Sequence, residues 1–213
     1  MTGWSPELLN EHVAPGFDQF TAADIPDLRP EFPESQHWLA DYFLNSVLRG
    51  RFDDPQRQLV LGFLRRTQHA FDAYHSAREL TEAFLATRSE KDSGVYGYYA
   101  AVSEWEWFAV DYSMAVELHN RLFERRVFEK GDRSAESRLY TIANNVKHIA
   151  HSLDVHPDGF PAVPLWLNNW SLHSYAGVSI TYGHAAAALR DMARLADRLR
   201  DPAALREAQG DAG

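Results

Sequence analysis

The 213-residue chain contains no cysteine, which removes disulfides, thiolate metal sites and cysteine nucleophiles together. No apolar run approaches the roughly 18 residues of a membrane-spanning helix. Residues 1–21 lack the basic start and apolar stretch of a secretory leader. Gly-x-Gly-x-x-Gly, a Walker-type loop, a Gly-x-Ser-x-Gly elbow and His-Glu-x-x-His are all missing, so no nucleotide loop, hydrolase elbow or metal-ligand motif announces itself. There is no internal repeat and no low-complexity linker. These absences predict a cytoplasmic protein of a single helical domain over 1–213, without membrane contact, cofactor or dedicated metal.

What is present begins with charge. The net charge is −9, yet residues 121–153 carry seven basic and four acidic side chains, a local +3. The whole molecule repels a polyanion, whereas this stretch, with Arg121, Arg125, Arg126, Lys130, Arg133, Arg138 and Lys147, suits a local anion or a short single strand. A solvated charged face is the plainer use of the same run.

Hydrophobic periodicity predicts an all-α bundle of four to five helices over 35–200, an irregular Pro-rich arm over 1–34 and a flexible tail over 201–213. The arm holds Pro6, Pro15, Pro26, Pro30 and Pro33, and its Trp4, Phe17, Phe20 and Phe32 are expected to pack on the body. Helices are expected near 35–48, with Trp38, Leu39, Tyr42, Phe43 and Val47 on one stripe, then 54–88, 98–128, 134–153 and 179–200. In the third, Trp105, Phe108 and Tyr112 mark a core face, with Glu106, Ser113, Glu117, Asn120 and Glu124 opposite. Between 154 and 177 a loop rich in Pro, Gly and Trp includes Val163-Pro164-Leu165-Trp166-Leu167, which reads as a short extended piece.

The chemistry-bearing segment is 138–151. On a helix, Asn144, His148 and His151 fall within about 60° of one another, with Lys147 adjoining, opposite an apolar stripe of Ile142, Val146, Ile149 and Leu153. Imidazole suits proton transfer near neutral pH and an ammonium holds phosphate, so the group fits phosphodiester chemistry; an ordinary polar helix face has the same composition. Glu104, Asp111 and His119 lie on the aromatic side of the third helix and need partners, which Tyr140 and Asn144 are placed to supply. His119, His148 and His151 also define an alternative, a metal-dependent helical-bundle enzyme. A further alternative is a non-catalytic partner-binding module that uses the arm and the Trp loop, where Trp166, Trp170, His173 and Tyr175 are able to form an aromatic pocket. His69 is expected on the water side of its helix and His75 at the edge of the core.

The run Asn144-Asn145-x-Lys147-His148, followed by Pro164-Leu165-Trp166-Leu167 and an Ala-rich last helix, resembles HEPN-type helical domains over about 95–200. Such domains occur in bacterial toxin–antitoxin pairs and phage defence. The resemblance implies a homodimer that cleaves or binds RNA, or binds a nucleotide phosphate, as a metal-independent endoribonuclease or its degenerate relative, with an antitoxin-type protein partner. By that resemblance His148, Lys147, Asn144 and His151 are the catalytic candidates, and Arg138, Asn145 and Trp166 the substrate contacts. Ala143 stands where the family places an arginine.

Overall fold

The computed structural model describes residues 5–48, 55–88, 94–149 and 164–201. The predicted tail beyond 201, Trp4, His151, Leu153 and the loop over 154–163 lie outside the described residues.

Two long helices form the frame. α3 (Pro55–Thr87) and α4 (Gly94–Phe123) run antiparallel, because Phe84 meets Tyr98 at 5.5 Å, Tyr74 meets Trp105 at 5.4 Å, and Gly62 lies against Leu118. A Cβ at Gly62 would sit 3.3 Å from Leu118 Cδ1, so the small residue is what admits this approach. Large rings fill the seam: Phe63, Phe71, Tyr74, Trp105, Phe108 and Tyr112 are all buried. α2 (Trp38–Leu48), α5 (Ala135–Lys147) and α6 (Tyr182–Leu199) pack around this pair. α6 buries Ala185, Ala188, Leu189, Met192, Leu195, Ala196 and Leu199, the stripe its period predicts.

The bundle matches the all-α expectation, with corrections at the element ends. The arm is not wholly irregular: Ser5 Oγ accepts from the amide of Leu8 and Pro6 stands in the first turn, which starts α1 (Pro6–His12). Short 3-10 turns at 17–19 and 29–31 follow, and Phe17, Phe20 and Phe32 are buried. On α2, Trp38 and Tyr42 enter the core, whereas Phe43 is 50% exposed and Leu44 57%. On α4, the expected water face is only partly wet, since Ser113 is buried and Glu106 half-buried.

α4 stops at Phe123, five residues before its expected end. Glu124 adopts φ +51°, the amide of Arg125 reaches back to Asn120 O at 3.2 Å, and Asn120 Oδ1 accepts from Val127 N at 2.9 Å. That is a left-handed cap closing the helix.

Beyond α5 the chain forms a small antiparallel meander, β1 (Leu165–Leu167), β2 (Ser171–Ser174) and β3 (Ser179–Thr181), with β2 in the middle. The register pairs Leu167 with Leu172 and Leu172 with Ile180, a buried apolar row facing the helices. β1 confirms the expected extended piece, while β3 occupies residues expected to open the last helix. Among the described residues no helix is long and apolar enough to cross a membrane.

Candidate functional site

α5 starts from a side-chain cap that is itself held from upstream. Asp132 Oδ1 accepts from Ser134 N at 2.8 Å, and Ser134 Oγ accepts from Ser137 N at 3.1 Å. Glu136 in the first turn and Lys147 in the last both suit the helix dipole. Leu139, Ile142 and Ala143 are buried against the bundle, which fixes where every other side chain of the helix stands.

One flank meets the meander. Arg138 Nη1 donates to Ser179 O at 3.1 Å and its Nε to Arg133 O at 3.0 Å, while Asn145 Nδ2 donates to Ser174 Oγ at 2.6 Å. Arg138 and Asn145, two turns apart, thus pin α5 to the sheet. Arg138 also lines an open hollow of about 330 Å³ together with Gly131, Arg133, Ser137, Gly177 and Ser179. Gly131 and Gly177 adopt φ +85° and +70°, and Arg133 shares the left-handed region at +64°, so the two loops fold back to make room. Arg133 entered the sequence reading only as part of the basic run and Ser174 not at all; Gly131 and Gly177 nearby were the available signal.

The last turn is different. α5 ends at Lys147, and His148 caps it with φ −116° and ψ 27°, its amide bonded to Asn144 O at 3.0 Å. This end is short of the predicted limit at 153, and the part of the expected stripe that runs to His151 lies outside the described residues. Lys147 and His148 are exposed, and Asn144 is half-buried one turn behind. At 1.5 Å per residue Arg138 stands about 15 Å along the helix from His148, so one chain does not bring these two together.

His119 lies at the opposite end of α5. Its ring meets Phe123 at 4.7 Å and Phe63 at 6.3 Å, beside Glu136 of the first turn. Burial pushes the imidazole below its ordinary range, and Arg125 adds to this against the pull of Asn120. Among the described residues no group of three His, Asp or Glu side chains is placed to hold a metal. Asp111, expected to look toward α5, pairs instead with Arg66 of α3 at 2.6 Å, and Tyr140 packs on Phe128 at 5.5 Å.

Trp166 is half-buried on the sheet. It stacks on His173 at 5.5 Å and 21° and meets Tyr175 at 4.9 Å, so the three rings pack upon one another. His173 Nε2 lies 2.6 Å from Asn168 Nδ2 and 2.9 Å from Ser171 Oγ, and burial lowers its pKa. Trp170 stands apart, 74% exposed.

Compared with protein-family models, curated proteins and solved structures, the chain matches none.

Proposed function

We propose that the protein is a HEPN-like helical module that binds single-stranded RNA or a nucleotide phosphate at the C-terminal end of α5, working in the cytoplasm as a homodimer with an antitoxin-type partner. The observation that supports this is the exposure of Lys147 and His148 on one turn with Asn144, within a stretch of the chain, 121–153, whose local charge is +3. Lys147 is the phosphate contact, Asn144 the orienting hydrogen-bonder and His148 the proton-transfer group, with His151 following in sequence.

Binding is the primary activity in this reading. Ala143 is buried where the resembled family carries an arginine, and Arg138 is tied to two carbonyls. Cleavage therefore requires a cation from the second subunit. The carbonyls at a helix C-terminus disfavour an anion, which leaves Lys147 as the group that makes the site tolerable to phosphate.

The test is fluorescence anisotropy with a short labelled RNA across a salt series. Lys147→Ala is expected to weaken binding and to reduce the slope of log affinity against log salt by about 0.7, one phosphate contact on a single strand. His148→Ala is expected to abolish any RNA cleavage with the thermal midpoint unchanged. Absence of RNA and nucleotide binding at low salt, or identical slopes for wild type and Lys147→Ala, overturns the reading.

A further inference from the structure

A second hollow, of about 360 Å³, opens between α4, α5 and α6 at the far end of α5, roughly 18 Å along that helix from His148. Its volume is that of about a dozen waters, the scale of a small metabolite. Phe123, Met192 and Leu195 supply apolar walls, and Tyr112 and His119 line it deeper in.

Two features are unusual for a surface dent. Tyr112 is 1% exposed, and its hydroxyl has no hydrogen-bond partner; Nδ1 of His119 is likewise buried without one. Buried polar atoms ordinarily find partners, and two orphans lining one hollow indicate that something from outside completes them. Burial, with a smaller push from the carboxylates of Glu136 and Asp191 that line the same hollow, raises the pKa of the phenol, so it stays a neutral donor.

The charges at the mouth decide the sign of the ligand. Glu136 sits in the first turn of α5, where the helix dipole favours it, and Asp191 has Arg194 at 3.3 Å. Arg126 has Glu129 at 3.1 Å. Arg125 and Arg198 have no ion-pair partner among the described residues, and both line the opening. Glu136 likewise has no ion-pair partner among the described residues, so two unpaired guanidinium groups face one unpaired carboxylate and the mouth is positive on balance.

We propose that this hollow binds a small organic anion, its carboxylate held at the mouth by Arg125 and Arg198 and its aromatic body lying on Phe123, Met192 and Leu195. A hydroxyl at the far end of that body meets Tyr112 and His119. The site is independent of the RNA reading, since it shares no side chain with the end of α5.

Isothermal titration of the full chain with 4-hydroxyphenylacetate tests this, with phenylacetate and tyramine as comparisons. The hydroxylated acid is expected to bind with a Kd on the order of 0.1–1 mM, phenylacetate about fivefold more weakly, and tyramine not measurably. Tyr112→Phe is expected to erase the difference between the two acids, and Arg198→Gln to weaken both about tenfold. No saturable binding, tyramine binding as well as the acids, or a variant that leaves its predicted difference intact overturns the assignment. Thermal midpoints matching wild type establish that both variants are folded; Arg125→Gln repeats the Arg198 test at the second cation.

Discussion

His75 is 1% exposed, packed on Phe71 at 4.7 Å and Tyr74 at 5.3 Å, with Asp27 Oδ1 3.6 Å from Nδ1 and no hydrogen bond on either ring nitrogen. Burial, helped by Arg29 and Arg78 against Asp27 and Glu79, pushes its pKa down to about 4. Glu106 is the mirror case: half-buried on α4, its carboxyl is pushed up to about 7 by burial. The signs oppose. For His75 the unfolded chain takes the proton first, so its contribution is lost as pH falls from about 6.5 to about 4. For Glu106 the folded chain holds the proton, so its contribution is lost as pH rises from about 4.5 to about 7. Each swing is at most about 3 kcal/mol, and the Glu106 swing is the smaller because that side chain keeps more water. Urea midpoints between pH 4.5 and 6.5 should therefore change little in the wild type, rise with pH in Glu106→Gln and fall with pH in His75→Met; parallel profiles for all three would reject the pairing. At this scale the sequence was half legible. Asp111 on an aromatic face announced that a partner exists, but periodicity does not say which neighbouring helix supplies it, and the long arm of Arg66 reached from α3. Asp111→Ala, which strands that guanidinium, should cost about 2–3 kcal/mol by chemical denaturation.

The elements with many turns were legible because a long apolar stripe averages over local exceptions. α3 begins at the predicted proline and ends within a residue of its expected limit. Ends set by a single side chain were not. Asn120 reads as one more polar residue of a helix face, yet its carbonyl and amide oxygens close α4. The strands of β1 to β3 are only three or four residues long, too short for alternation to stand out, and their turns depend on one asparagine and one glycine. Asn168 Oδ1 accepts from the amides of Trp170 and Ser171, both at 2.8 Å, and so shapes the β1–β2 turn. Asn168→Ala should lose about 1–2 kcal/mol, whereas Asn168→Asp, which keeps the acceptor, should lose much less. Equal losses, read as urea midpoints, would mean that the amide group facing His173 matters more than the turn. The same shortness explains why the surroundings of the candidate site were only partly visible: Arg138 and Asn145, named as substrate contacts by the family resemblance, also bond a sheet that the sequence pattern did not show.

The arm is where the whole molecule is held together. Phe17 and Phe20 pack on Phe84 and Tyr98 across the far end of the α3–α4 pair, and the Arg88 guanidinium donates to the carbonyls of Asp18, at 2.6 Å, and Phe20. Asn169 of the β1–β2 turn accepts from the amides of Thr21 and Ala22, at 2.9 and 3.3 Å, so the arm also ties the sheet to the helices. Proline content announced that this segment is not a helix of the bundle, and its aromatics announced that it packs; neither indicates what it packs on. Because these rings are already used inside the chain, truncating them acts on stability rather than on a partner. Phe20→Ala removes a fully buried ring and should cost about 3–5 kcal/mol, lowering the thermal midpoint. RNA affinity measured well below that midpoint should be unchanged, since the ring of Phe20 packs on Phe84 and Tyr98 of α3 and α4 and not on Lys147. A variant with wild-type stability would show the arm to be detached in solution, free to serve as the contact surface of a partner-binding module.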